Sequence, residues 1–239
     1  MGLNLKGQFL VIQIVLLIFS CLASATSPET PKTLTFSQTK LGSTFTCAHE
    51  ALTLAYQNIG IEALFLTLPG KRSLMYANNG EVDGEMLRVE GLEAEYPNLL
   101  RVPVALCAVD STVVSNVELN ATSFSDLKGI DIGITRGFVD QERLAEKFGL
   151  NTTRVVRNED LVHMLLKGRV TAIFTTELEA KEIIKTNEDH NLYKQSALKR
   201  NMYLYHYLHK KNENLLPLIT IELRRLQKLG KIELNNREY

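Results

Sequence analysis

LMYANNGEVDGEMLRVEGLEAEYPNLLRVP, residues 74–103, is the stretch whose punctuation decides the fold. Its first turns read as a helix that stops at Asn78-Asn79-Gly80, residues that tolerate a left-handed C-cap. A strand is expected over 81–84, running into Glu85, Leu87 and Arg88. After an acidic link comes a valine-rich apolar run from Leu99 to Val109, with Pro103 inside it. Proline cannot donate to a ladder, so that run reads as an edge or crossover segment. A helix, a strand and then polar residues at the far strand end is how α/β proteins present groups to a ligand.

The unit returns. Residues 160–167 read as a helix closed by Gly168, and 169–174 as a strand running into Thr175, Thr176 and Glu177. Gly80-Glu-Val-Asp-Gly84 echoes Gly168-Arg-Val-Thr-Ala172, which suggests two lobes of similar plan facing one cleft. Outward from these units, helices are expected at 44–56, 139–148, 177–185 and 214–229, and strands at 33–36, 61–68, 130–134, 153–156 and 202–208. Alternating strands and helices predict βαβ units and parallel pairing. Between strand 130–134 and the helix at 139, Thr135-Arg136-Gly137 forms a short turn whose N–H groups suit an anion.

Composition is that of an ordinary globular chain, with 45% hydrophobic and 23% charged residues. A formal charge of zero gives no reason to expect nucleic acid as a partner. Residues 1–25 carry Lys6, an apolar run from Phe9 to Phe19 and Ala23-Ser24-Ala25, the pattern of a secretory signal peptide. The rival is a lipoprotein signal ending at Cys21, to which Phe19 is a poor fit. Cleavage after Ala25 leaves 27 acidic and 26 basic side chains, preceded by a loose leader at 26–32. Export allows Cys47 and Cys107 to form a disulfide, although two separate buried thiols fit the sequence as well.

No G-x-S-x-G or P-loop is present, and His49-Glu50 lacks the second histidine of H-E-x-x-H because Thr53 stands there. His206 and His209 lie three apart in an expected strand, on opposite faces, where they cannot share a metal. No metal, cofactor or catalytic group is therefore expected.

Three motifs in order carry a family resemblance: Asn79-Gly-Glu-Val-Asp-Gly84, then Asp126-Leu-Lys-Gly-Ile-Asp-Ile-Gly-Ile-Thr-Arg-Gly137, then Leu165-Leu-Lys-Gly-Arg-Val-Thr-Ala-Ile-Phe174. Together they resemble the type 2 periplasmic solute-binding proteins, in particular solute-binding family 3, the polar amino-acid branch. The resemblance implies an α/β, two-lobed fold with a hinge and an interlobe cleft. The first lobe would be 33–105 plus 203–239 and the second 106–202, with crossings near Leu106 and Met202 and no continuous sheet between lobes. It implies a monomeric periplasmic protein, not an enzyme, that closes over a small polar solute, an amino acid or small carboxylate, for an ABC-type permease. A sensing or adaptor role is the alternative, and a dehydratase or lyase with Glu85 as its acid or base a more remote one.

Two positions depart from the family pattern. Thr176, with Glu177 beside it, stands where the family has the Asp that holds an α-ammonium, and no T-x-x-R turn follows Glu85. The resemblance then makes Arg88 the carboxylate grip and Glu177 the ammonium partner. Glu85 would hold an ammonium or order Arg88, and Thr135, Arg136, Gly137, Thr175 and Thr176 would complete the site. On this reading Arg88→Ala weakens binding and leaves ligand-free melting nearly unchanged.

Overall fold

The computed structural model describes residues 33–39, 46–232 and 234, with side chains given from residue 48 on within the second span. The expected signal peptide and leader lie outside these residues, as does the side chain of Cys47, so the disulfide expectation is not addressed. Cys107 is buried.

One half begins with β1 (Thr33–Gln38), α1 (Thr46–Asn58), β2 (Glu62–Thr67), α2 (Gly70–Asn79) and β3 (Gly84–Val89). The chain crosses on β4 (Leu99–Ser115). The second half adds β5 (Ile132–Thr135), α3 (Val139–Phe148), β6 (Thr152–Val155), α4 (Asn158–Leu166), β7 (Ala172–Thr176), α5 (Glu177–Thr186) and β8 (Tyr193–Lys194). It returns on β9 (Arg200–His209) and ends with α6 (Leu216–Lys228).

The strands follow the order β2-β1-β3-β9-β4-β7-β5-β6, with β8 beside β4. Within each half a first strand is flanked by two parallel partners, β2 and β3 on β1, β6 and β7 on β5. The echo in the sequence falls on matching places: α2 is followed by Gly80 (φ 77°) and α4 by Gly168 (φ 63°), and β3 and β7 each begin at the fifth echo residue. Expected purely parallel pairing gives way to antiparallel pairing wherever β4 or β9 enters.

The halves were expected to hold separate sheets, yet the ladder is continuous, because the two crossing strands pair with each other. Residues 108–110 and 201–203 pair only with one another among the described residues. Pro103 sits in the register shift between Arg101 and Ala105, so it breaks no ladder bond.

Helices cover both faces of each half. Leu52, Ala55 and Tyr56 of α1 meet Ile219, Leu223 and Leu226 of α6 over Phe36, Met86 and Leu106. On the opposite face, Leu74 and Ala77 of α2 pack on Leu99 and Tyr207, joined by Val139 of α3 from the second half. Leu144 of α3 covers Ile132, Ile134 and Phe174, and α4 and α5 bury Leu161, Leu165 and Ala180 against Ile173 and Val114. Among the described residues no helix is long and apolar enough to cross a membrane.

Candidate functional site

Strand β3 starts three residues later than expected, because Asp83 is occupied in holding the strand's entry. Its N–H donates to Thr35 O and its carboxylate accepts from Thr35 N. Glu85 and Arg88 therefore lie within the strand. Residues three apart in a regular strand face opposite ways. The register of β3 on β9 shifts between these two, and their side chains meet, Arg88 Nε donating to Glu85 Oε1 at 2.8 Å.

Glu85 is fully buried. Its Oε2 accepts from the hydroxyls of Ser37 (2.7 Å) and Ser73 (2.6 Å). Burial pushes its carboxyl above the usual range, against the pull of Arg88 and the two serines. It does not line the cavity between the halves described below, and what the geometry shows it doing is ordering Arg88.

Arg88 is 7% exposed and reaches across the halves. Nη2 donates to Gly70 O and Nη1 to Gly137 O, each at 3.2 Å. The 135–137 turn does face Arg88 as expected, but by direct contact. A Cβ on Gly137 (φ +80°) would lie 2.1 Å from Lys71 N, and one on Gly70 would lie 2.7 Å from Arg136 O. Glycine at both places lets the two backbones touch. The expectation that removing Arg88 spares ligand-free stability does not survive this arrangement, since Glu85 would be left buried without its cation.

The same turn was expected to offer N–H groups to an anion. Thr135 N donates to Gln141 Oε1, Arg136 N to Val155 O and Gly137 N to Glu142 Oε1. Thr135 Oγ1 donates to Asn158 Oδ1 at 2.6 Å, and the Arg136 side chain is exposed. All three donors are occupied within the second half. A second interlobe contact lies nearby, where Arg143 of α3 donates to Glu95, to Glu90 O and to Gly91 O.

Beside these contacts a cavity of about 490 Å³ opens between the halves. Its walls are Leu87, Arg88 and Val89 of β3, Val109 and Met202 of the crossing strands, the starts of α3 and α4, the end of β7, and α5. Of the second-half candidates, Thr175 and Thr176 lie on it. Glu177 does not, because it pairs with Lys194 at 2.7 Å. Two residues on, Glu179 does line the cavity, and its Oε2 accepts from both threonine hydroxyls (2.8 and 3.1 Å) and from Thr176 N.

Asp140 on α3 also lines it, paired through Oδ1 with Arg200. Its Oδ2 is buried with no hydrogen-bond partner among the described residues. Burial raises the Asp140 carboxyl above its ordinary range despite Arg200 and Arg143.

Sequence reasoning missed Phe138, Asp140, Asn158 and Glu179. Thr176-x-x-Glu179 carries a capping-box spacing that could have pointed to Glu179, and the structure forms that box. Nothing in the sequence singles out Asp140. Among the described residues no cluster of three or more His, Cys, Asp or Glu could hold a metal.

No protein-family model matches the chain, and no curated protein matches it in sequence. Solved structures do. An amino-acid ABC transporter substrate-binding protein from Streptococcus pneumoniae bound to L-arginine matches with a TM-score of 0.70 at 16% identity, over 84% of this chain and 91% of that one. An ancestral arginine-binding protein bound to arginine matches with 0.69 at 16%, over 84% and 95%. A histidine kinase sensor domain with similarity to periplasmic binding proteins matches with 0.73 at 16%, over 86% and 94%. At such identity the likeness concerns architecture: the chain has the two-lobed α/β fold of the periplasmic binding proteins.

Proposed function

We propose that this chain is an exported solute-binding protein whose lobes, 33–105 plus 203–239 and 106–202, close over a small organic solute. The observation that carries the reading is the cavity of about 490 Å³ walled by both halves at the ends of β3 and β7. That volume lies within the roughly 300–1,000 Å³ of small-molecule sites. Structures named for arginine binding support a polar, nitrogen-bearing solute. A small carboxylate is the weaker candidate, since Arg88 already serves Glu85 and two carbonyls.

Delivery to an ABC-type permease is the first role. A sensing role has its own support in the histidine kinase sensor domain of the same fold. A thermal-shift screen of the chain from Thr26 onward tests binding, because a ligand bound only by the folded state raises its melting temperature. Amino-terminal sequencing of the exported protein should begin at Thr26. Loss of uptake of the confirmed ligand on gene deletion supports transport, and unchanged uptake with lost signalling supports sensing.

A further inference from the structure

The charged side chains on the walls of the cavity between the lobes are mostly acidic. Among the described residues on its walls Arg88 is the one basic side chain, whereas Asp140, Glu179 and Glu182 are acidic. The Arg88 charge is balanced at 2.8 Å by Glu85 behind it. Among the described residues the donors to Glu179 Oε2 are hydroxyls and an amide, which orient a carboxylate without neutralising it. Asp140, 7% exposed, lines the cavity and holds one oxygen on Arg200; its other oxygen is buried with no hydrogen-bond partner among the described residues.

A buried acceptor without a donor is rare in a folded protein and points to a partner that is not part of the chain. Much of the remaining wall is hydrocarbon, from Leu87, Val89, Phe138, Leu161, Ile173 and Leu204. Low-dielectric walls strengthen the field of the acids inside the cleft.

We infer that this cavity recognises an organic cation with a hydrocarbon body, an amine or a guanidine, and requires no carboxylate on it. The inference rests on the binding-protein reading and narrows its ligand. A cation brings donors to the acidic wall, and its carbon skeleton covers the apolar one. An α-carboxylate would meet acids on α3 and α5 and an arginine whose charge is already balanced.

The test is calorimetric titration and thermal shift of the chain from Thr26 with matched probes. Agmatine is set against arginine, cadaverine against lysine and phenethylamine against phenylalanine, with glutarate and 3-phenylpropionate as anions. At least one amine should bind tenfold or more tightly than its amino-acid parent, and the anions should not bind. Glu179→Gln keeps an acceptor oxygen for the cap and removes the charge, so it should weaken that amine about tenfold. Glu182→Gln, at an exposed position, gives a second reading should the first variant fold poorly.

Parents binding as tightly as their amines, or anions binding in their place, would overturn the ligand class and leave the binding-protein reading standing. Silence from every probe would overturn both. Unchanged amine affinity in the folded glutamine variants would overturn the acidic wall as the recognising surface.

Discussion

Replacing Arg88 with alanine should unfold the molecule at a markedly lower temperature, with no ligand present. Glu85 is fully buried and Arg88 is 7% exposed, and their oxygen and nitrogen lie 2.8 Å apart. Breaking a buried pair by removing one partner costs about 3–5 kcal/mol, because the other charge stays buried. For a chain of this size each kcal/mol moves the melting temperature by about 2–4 °C, so the drop should be about 6–20 °C.

The pH dependence has a definite sign. Burial already holds the Glu85 carboxyl high, and Arg88 is the first of the groups opposing it. Without Arg88 the folded carboxyl titrates higher still. A carboxyl raised in the folded state binds its proton more tightly there, so the penalty is absent below its unfolded pKa and grows as pH rises through the folded one. Circular-dichroism melts of both proteins across pH 4–8 should converge on acidification. The double variant Glu85→Gln, Arg88→Met should recover most of the loss. A drop smaller than about 2 °C at pH 7, or one that does not change with pH, would refute the assignment of Arg88 to structure.

His206 is held down to about 4 by burial, and its Nδ1 faces Met86 O while Nε2 meets Tyr56 Oη at 2.8 Å. A carbonyl only accepts, so Nδ1 carries the proton and Nε2 accepts from the tyrosine; NMR should find the ring neutral at pH 5. Because its folded pKa lies below the unfolded one, acidification from about 6.5 to 4 should remove about 3 kcal/mol that His206→Phe would not lose. Gly137→Ala puts a Cβ against Lys71 N in a left-handed conformation. It should destabilise by about 1–3 kcal/mol and increase the distance between labels on the two lobes. Arg143 is 36% exposed at its side chain, so Arg143→Ala should cost only about 0.2–1 kcal/mol in melting experiments while raising the open fraction in single-molecule distance measurements.

The fold was legible where local chemistry is unambiguous. Gly80, Gly149 and Gly168 end helices in the structure as in the sequence, and α3 spans the expected residues. β4 was read too short: Asp110 to Ser115 mixes polar side chains into a strand held by partners distant in sequence, which periodicity does not reveal. The site was legible only in part. Arg88, Thr175 and Thr176 do line the cavity. Glu85 was placed at a strand end because the hold of Asp83 on Thr35 has no local signal. Glu177 was chosen because it stands beside Thr176, at the position of the family's ammonium-holding acid, but Lys194, far along the chain, draws it away.

The ladder that joins the lobes narrows at its middle to residues 108–110 and 201–203, two strands wide. Two-stranded ribbons twist further than broad sheets without losing their hydrogen bonds. Any rotation of one lobe against the other would therefore be a torsion of this ribbon about its length, with an elastic restoring force. Its amides should stay protected from solvent exchange in the open and closed forms alike. Insertion of proline at Val109 or Met202 would slacken the spring by removing a rung, so that lobe motion would lose its preferred axis before either lobe lost its own structure.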